Sequence, residues 1–331
     1  MTESADSVEN AIEARDLVRE FRGARAVDGV SITIPRGEVF GLVGPDGAGK
    51  STLIRMLATV LAPTSGDALV FGHSVVHDPH AVKPRIGYMS QAFSLYGDLT
   101  VQENLDFFAE LRGVPRRDMK SRGDRLLEFS GLTEFRTRQA QFLSGGMKQK
   151  LALAATLISE PDLLFLDEPT TGVDPVSRRE FWRIISGLHQ QGITVFVATP
   201  YMDEADRCGE IAFMTQGRII LRDTPAGMKS RVPGRVVEVS VDDYRKAMPL
   251  LAELPYVASI EVSGDMLRVL VDCSGKEPCE EEMRALLAAH GLAVAHVRPT
   301  TTDLEMAFAT LIPTVALPKR DDERSEPGVR A

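Results

Sequence analysis

The stretch that decides the fold is VFGLVGPDGAGKSTLIRMLA, residues Val39 to Ala58. Its first five residues are apolar and predict a buried β-strand, and TLIRMLA has the apolar spacing of a helix. Between them, Gly44 to Ser51 reads G-x-x-x-x-G-K-S. The glycines allow backbone N–H groups to curl around phosphate oxygens, and the following helix adds the positive end of its dipole. This order of strand, loop and helix predicts a nucleotide site in an α/β fold.

Two side chains of this loop are suited to a Mg²⁺–nucleotide complex. Lys50 would neutralise the β- and γ-phosphates, and the Ser51 hydroxyl would ligate Mg²⁺. The alternative is a glycine-rich turn that arose by chance. Because the loop stands between a strand and a helix, the nucleotide interpretation is favoured.

An acidic pair closes a second apolar strand. The segment LLFLDEP places Asp167 and Glu168 at the strand's carboxyl end, and in a parallel sheet this edge lines the crevice where ligands bind. Asp167 is suited to the outer coordination sphere of Mg²⁺, and Glu168 to polarising an attacking water. A helix N-cap after a buried strand is the alternative. The phosphate loop upstream favours the catalytic interpretation.

A second glycine pair opens a helix in LSGGMKQKLALAATLIS. Ser144 is placed to cap that helix, and Gly145 and Gly146 allow an anion to approach its positive end. The alternative is an N-cap without a ligand. Since one chain rarely needs two phosphate cradles for one nucleotide, the second cradle indicates a nucleotide held by another protomer.

Composition excludes several classes of protein. With 44% hydrophobic and 26% charged residues, the 331-residue chain is typical of a globular protein. Apolar runs such as Ile193 to Ala198 are far shorter than the ~20 residues that span a bilayer, and the first ten residues do not resemble a secretory signal. The net charge of -9 argues against a bulk nucleic-acid binder. We expect a cytoplasmic protein that can sit against a membrane.

Strand and helix patterns divide the chain into segments. Residues 1–10 are a flexible leader, and residues 11–230 alternate strands with helices, as in a mixed sheet covered by helices. Within that block, residues 92–160 form a helical subdomain. Residues 234–312 have the order βαββαβ and a final helix, which predicts a small α+β module. Residues 313–331 are a polar tail, expected to be disordered.

The motifs GPDGAGKST, GYMSQ, LSGGM, LLFLDEP and GVDP follow one another in the order found in the ATP-binding subunits of ABC transporters. The chain resembles that family over residues 11–228, which implies a P-loop NTPase fold of the ABC type with ATP and Mg²⁺ as cofactors. It is most similar to ABC-2 type exporters, a group that includes drug-resistance exporters and chains carrying two such domains. It resembles the first of those two domains.

The resemblance assigns roles to matching residues. It implies that Asp167 is the Walker B acid, Glu168 the catalytic base and Gln91 the Q-loop residue that senses Mg²⁺ and water. Phe21 is placed to stack on adenine, with a core position as the alternative, and Asp174 falls in the D-loop. The implied nucleotide-binding residues of the Walker A loop and the signature are Gly44, Pro45, Asp46, Gly47, Ala48, Gly49, Lys50, Ser51, Thr52, Ser144, Gly145 and Gly146, with Met147 in place of the usual Gln.

Family logic also implies partners. Two such domains pack head to tail, so each ATP lies between one Walker A loop and the signature of the other domain. A transmembrane permease subunit would hold the chain on the inner face of the cell membrane. Phe93, Leu95 and Tyr96, on the loop after Gln91, are the candidate apolar contact with that permease; core packing is the alternative.

One position departs from the family pattern. The strand after Walker B should lead into T-H-x-M-D-E-A, whose histidine contacts the γ-phosphate, but the chain reads TPYMDEA from Thr199 to Ala205. Pro200 offers no side-chain donor, and loss of one aligned donor costs ~10²–10³ in rate, roughly 2.7–4 kcal/mol. The alternative is that the hydroxyl of Thr199 or Tyr201 stands in. We expect a slow or inactive site on this chain's own Walker face and an intact signature offered to a partner, which favours a heterodimer over a homodimer.

The leading functional hypothesis is the ATP-binding subunit of an export transporter. A soluble ABC-type switch with no transport role is the alternative. A P-loop kinase or GTPase is excluded because such enzymes have no use for LSGGM, and the chain has no N-K-x-D guanine-reading motif.

Overall fold

The computed structural model describes residues 10–92, 95–272 and 279–314, with side chains up to residue 312. Contacts divide the chain into two units, Met1–Ala226 and Gly227–Ala331. The predicted flexible leader and disordered tail fall outside the described residues, apart from residue 10 and residues 313–314. In the described part, no helix combines the length and apolarity needed to cross a membrane.

The first unit contains two sheets with helices around them. Its strands are β1 (Asn10–Phe21), β2 (Ala24–Pro35), β3 (Val39–Val43), β4 (Ser65–Val70), β5 (His73–Ser74), β6 (Ile86–Met89), β7 (Leu163–Asp167), β8 (Thr194–Thr199), β9 (Glu210–Thr215) and β10 (Arg218–Asp223). Its helices are α1 (Lys50–Leu57), α2 (Pro79–Val82), α3 (Val101–Leu111), α4 (Arg116–Ser130), α5 (Gly145–Leu157), α6 (Pro175–Gln190) and α7 (Met202–Ala205), and α8 (Pro225–Ser230) contains the division point between the units.

The central sheet has the strand order β10-β9-β3-β8-β7-β6. Strands β6, β7, β8, β3 and β9 run parallel, and β10 pairs antiparallel with β9, so the predicted mixed sheet is confirmed. β3, β7 and β8 are buried along their whole length, as strands covered on both faces must be. Because Val43 pairs with Thr199 and Asp167 with Ala198, the ends of these strands lie side by side at one edge.

A second, antiparallel sheet has the order β2-β1-β4-β5. β1 and β2 form a long hairpin of 12-residue strands. Arg22 and Gly23 at its turn have φ values of 49° and 85°, which suits the twist of a two-residue hairpin loop. This turn places Phe21 at the end of the hairpin.

The predicted helical subdomain is made of α3, α4 and α5 around a core that includes Leu105, Leu127 and Leu151. Thr100 starts α3 with a capping box: its hydroxyl accepts from the Glu103 backbone N–H, and the Glu103 carboxylate accepts from the Thr100 N–H. The sequence pattern predicts these helices over Val101–Arg112, Asp118–Ser130 and Met147–Ile158, and the observed ends differ from these bounds by at most two residues.

The second unit has the predicted βαββαβ order. Its elements are β11 (Arg235–Val241), α9 (Tyr244–Ala252), β12 (Val257–Ser263), β13 (Met266–Val271), α10 (Cys279–Ala289), β14 (Val294–Thr300) and a final helix α11 (Leu304–Thr314). The sheet order is β12-β13-β11-β14, with antiparallel pairing throughout. Alternate residues such as Val237 and Val239 face a core that includes Met283 and Leu287 of α10.

Candidate nucleotide-binding site

The loop between β3 and α1 has a backbone shape that requires glycine. Gly47 and Gly49 have φ values of 78° and 106°. A Cβ on Gly49 would lie 2.2 Å from the Ala26 carbonyl oxygen, and one on Gly44 would lie 2.1 Å from that of Met214. Gly49 is also the N-cap of α1, and within the described residues no side chain caps this helix. The first N–H groups of α1 are therefore available to an anion.

Lys50 is a buried cation at this loop, with 3% of its surface exposed. Its Nζ donates to the carbonyl oxygens of Gly44 at 2.8 Å and Pro45 at 3.0 Å. The same Nζ lies 3.7 Å from Oε1 of Glu168. These contacts compensate the burial of the charge, and they place a cation between the loop and the acidic strand end.

Ser51 and Asp167 meet directly, although 116 positions separate them in sequence. The Ser51 hydroxyl donates to Oδ1 of Asp167 at 2.7 Å. Burial raises the pKa of Asp167, and the hydrogen bond from Ser51 opposes that rise. Among the described residues, Oδ2 of Asp167 is buried without a hydrogen-bond partner. A hydroxyl beside a carboxylate with a free oxygen fits Mg²⁺, because this hard cation takes oxygen ligands.

Gln91 and Glu168 are also brought together. Nε2 of Gln91 donates to Oε2 of Glu168 at 2.9 Å, and the Thr171 hydroxyl lies 3.4 Å from the same oxygen. The Glu168 backbone N–H donates to the Ala198 carbonyl at 2.9 Å. Glu168 has a φ of 49°, a left-handed conformation that costs a non-glycine residue ~1–2 kcal/mol. The Glu168 backbone is therefore strained, as is common at functional sites, while Gln91 and Thr171 contact its carboxylate.

The residues around Pro200 have other partners. The buried Thr199 hydroxyl donates to Oε2 of Glu204 at 2.7 Å and accepts from the Tyr201 N–H at 3.0 Å. The Tyr201 ring lies under the Arg178 guanidinium, 4.4 Å from ring centroid to Cζ. Thr199 and Tyr201, the two candidates to replace the histidine, flank Pro200 in sequence. The Thr199 hydroxyl is bonded to Glu204, and the Tyr201 ring packs against Arg178.

The signature segment forms the exposed start of α5. Ser144 is the N-cap, and its Oγ accepts from the Met147 N–H at 3.3 Å. Ser144 and Gly145 are exposed. In the described ranges no hydrogen bond joins Ser144, Gly145 or Gly146 to the loop Gly44–Thr52. The chain therefore holds two separate candidate phosphate cradles.

Asp174 is the N-cap of α6. Its Oδ1 accepts from the backbone N–H groups of Val176 at 3.0 Å and Ser177 at 2.9 Å. The hydrogen bonds from Ser177 lower the pKa of Asp174, so this exposed carboxylate stays charged at neutral pH. The Asp174 side chain therefore caps the N-terminus of α6, which packs beside α5.

The two signature glycines have different requirements. A Cβ on Gly146 would lie 2.4 Å from both Cβ and Oγ of Ser177, whereas in the described part a Cβ on Gly145 would meet nothing closer than the Gly172 carbonyl at 3.9 Å. We expect Gly146→Ala to destabilise the first unit by ~1–3 kcal/mol through overpacking, and the matched control Gly145→Ala to leave its stability nearly unchanged. Urea unfolding of the two variants measures this difference. Equal unfolding midpoints would contradict it.

Two predicted aromatic contacts are exposed. Phe21 is 44% exposed, so the core alternative is wrong for this residue, and the Arg19 guanidinium lies 4.6 Å from its ring centroid. Tyr96 is 48% exposed and packs edge-on against Phe107, with centroids 4.6 Å apart. Leu95 packs against the core of the helical subdomain, and Phe93 lies outside the described residues.

Some residues of the site were not predicted. Thr170 and Thr171 stand directly after the DEP segment, and this position was the available sequence signal for them. Arg178 and Glu204 are 26 positions apart, and nothing local in the sequence pairs them.

Comparison with known proteins identifies relatives. Residues 27–171 match the family model described as ABC transporter. The chain is 41% identical over 305 residues to the probable multidrug ABC transporter ATP-binding protein YbhF of Escherichia coli (strain K12), covering 91% of this chain and 52% of that protein. It therefore spans about half the length of that relative. It is 44% identical over 234 residues to the daunorubicin/doxorubicin resistance ATP-binding protein DrrA of Streptomyces peucetius, covering 70% and 71%.

A solved structure of an ABC transporter component is also similar to this chain. The structure of cbiO1 from Clostridium perfringens, described as part of the ABC transporter complex cbiONQ, matches with a TM-score of 0.62 and 26% identity. The match covers 75% of this chain and 96% of that one.

Proposed function

Because the chain belongs to the ABC transporter ATP-binding family of P-loop ATPases, we propose that it is the ATP-binding subunit that energises an ABC-2 type exporter. The observation that carries the proposal is the convergence of Lys50, Ser51, Asp167, Glu168 and Gln91 at one edge of the central sheet. The names of YbhF and DrrA refer to multidrug transport and drug resistance, which supports export as the direction.

Each side chain at this edge has a role that follows from its chemistry. When bound, MgATP supplies the γ-phosphate bond and a divalent charge that neutralises the phosphates. Lys50 would exchange its carbonyl partners for phosphate oxygens, and Ser51 with Asp167 would hold Mg²⁺. Glu168 would orient and deprotonate the attacking water, with its carboxylate held by Gln91. Phe21 would stack on the adenine.

A second ABC domain is the proposed partner. Ser144 and Gly145 lie exposed at the start of α5, where a helix dipole and free N–H groups suit a phosphate of another chain's nucleotide. Pro200 supplies no donor to this chain's own nucleotide, and the neighbouring Thr199 hydroxyl is already bonded to Glu204. These contacts support an impaired site on this chain and a heterodimer whose partner carries the histidine.

A permease subunit is the second proposed partner, and it would hold the chain on the inner face of the membrane. The exposed Tyr96 ring, backed by Phe107, offers it an apolar contact. The fully buried Asn104 fixes the loop, since its Nδ2 donates to the Tyr96 and Leu99 carbonyls and its Oδ1 accepts from the Tyr96 N–H. Purification from membranes separates the two functional hypotheses. An exporter subunit should co-purify with a multi-helix protein, and a soluble ABC-type switch should not.

The loss of Lys50 tests nucleotide binding. Lys50→Ala removes charge-assisted hydrogen bonds worth ~1.5–3 kcal/mol, so we expect ATP affinity to fall by ~10–100-fold. Equilibrium binding of a fluorescent ATP analogue measures it. Lys83→Ala, which removes an exposed lysine, is the matched control and should bind normally. An unchanged affinity in Lys50→Ala would contradict the proposed site.

A further inference from the structure

Glu204 is a fully buried carboxylate outside the phosphate loop. A buried carboxylate is costly unless hydrogen bonds satisfy it. Here the Thr170 hydroxyl donates to Oε1, and the Thr199 hydroxyl donates to Oε2 at 2.7 Å. Nε of Arg178 lies 3.8 Å from Oε1. The carboxylate of Glu204 thus gathers groups from three separate segments.

Two of these segments adjoin Glu168, one in sequence and one through a backbone hydrogen bond. Thr170 follows Glu168 by two positions, and Thr199 directly follows Ala198, whose carbonyl accepts from the Glu168 N–H at 2.9 Å. Because both hydroxyls bind Glu204, its carboxylate ties the segment after Glu168 to the end of β8. The left-handed conformation of Glu168 needs such a hold.

Arg178 extends the cluster to α6. Its guanidinium lies over the Tyr201 ring, and its Nη1 is 3.4 Å from Oδ2 of Asp203. Arg178 stands one turn after Asp174, the N-cap of α6. The segment after Pro200 is therefore fixed to the first turn of α6 as well as to β8.

We propose that Glu204 is a positioning residue for the ATPase reaction: through Thr170 and Thr199 it sets where the Glu168 carboxylate lies. The inference rests on the proposed function, in which Glu168 is the base. That carboxylate is contacted directly by Lys50, Gln91 and Thr171. The Glu204 cluster fixes the backbone segments next to it. Loss of the Glu204 carboxylate should lower the rate of turnover without changing ATP affinity.

The kinetic test uses Glu204→Gln, which keeps the shape and replaces one acceptor oxygen by an amide donor. In a Pro200→His background we expect kcat to fall by ~10–100-fold, because small displacements of a catalytic group have effects of this size, with the dissociation constant of the ATP analogue within about twofold. Thr170→Val should act in the same direction, and the double variant should be no slower than Glu204→Gln alone, because the two residues act as one unit. Glu180→Gln, on α6 and paired with Lys150, is the matched control.

Amide hydrogen exchange gives a readout that does not need turnover. The Glu168 N–H bonds to the Ala198 carbonyl, and the Thr171 N–H bonds to the Glu168 carbonyl at 3.3 Å. In the chain with Pro200 in place, Glu204→Gln should speed exchange at these two amides by ~10-fold or more, since local opening of these bonds becomes easier. Amides in β3, including Leu42, should keep their rates. Thr170→Val supplies the same test if Glu204→Gln does not fold.

The outcomes separate the two proposals. If the unaltered chain does not bind ATP, the proposed function fails, and the exchange rates still report on the hold of Glu204 over Glu168. If ATP binds but kcat and both amides are unaffected by Glu204→Gln, the positioning role is wrong. A uniform rise in exchange across β3, β7 and β8 shows a general stability role and overturns it equally. If the Pro200→His chain has no measurable turnover, the local exchange rates decide.

Discussion

Replacing Pro200 with histidine should raise the ATP turnover of this chain by ~10²-fold, with ~10³-fold as the upper range for one aligned donor. Strand pairing explains why the position is suitable. Val43 pairs with Thr199, and the Glu168 N–H bonds to Ala198, so residue 200 follows a strand end that lies between the phosphate loop and the base. An imidazole introduced there would place a hydrogen-bond donor near the γ-phosphate. The proline side chain now at this position has no donor.

Two variants separate the imidazole from other effects of removing proline. Pro200→Ala restores the backbone N–H without a side-chain donor and should remain slow. Pro200→His combined with Glu168→Gln should lose the gain, because the base is removed. Phosphate release at saturating Mg²⁺ and ATP measures all four proteins. Robust turnover of the unaltered chain, or an equal gain in Pro200→Ala, would contradict an impaired site.

The central strands could be predicted because each is an apolar run bounded by polar or turn residues. Val39–Val43 and Leu163–Asp167 are buried at every position, and such runs remain visible in one sequence. The hairpin β1–β2 was not predicted as a sheet of its own. Its register shifts several times, between Ala14 and Leu17 among other places, and irregular pairing breaks the alternation that indicates a half-buried strand.

The site shows the same division between local and tertiary information. The phosphate loop is a local motif whose spacing alone indicates its chemistry. The resemblance to a known family assigned a role to Gln91 and to Glu168 separately, whereas the bond between them, which joins residues 77 positions apart, was not predicted. The sequence left Thr199 open as a substitute for histidine. Its bond to Glu204 became visible only when the turn after β8 was placed against Thr170.

A nucleotide site shared between two chains implies that two slow proteins, a double variant and the unaltered chain, should restore ATP hydrolysis when mixed. The first carries Pro200→His and Gly145→Asp, which give it a complete Walker face and a damaged signature. Aspartate is compatible with the fold, because Gly145 is the exposed first residue of α5 and a carboxylate there suits the helix dipole. Its charge would repel a triphosphate by ~4 kcal/mol at about 4 Å in a surface-like dielectric. Alone, this variant should be ~10²-fold or more slower than Pro200→His.

The unaltered chain completes the pair, because it has a slow Walker face and an intact signature. Titrating it into the double variant should restore phosphate release toward about half the rate of Pro200→His per dimer, since each mixed dimer contains one complete site. Gly145→Asp alone, which differs from the unaltered chain by that single residue, is the matched partner and should restore nothing. Because a site completed within one chain gains nothing from a second signature, an inactive mixture alongside an active Pro200→His protein would rule out the shared site.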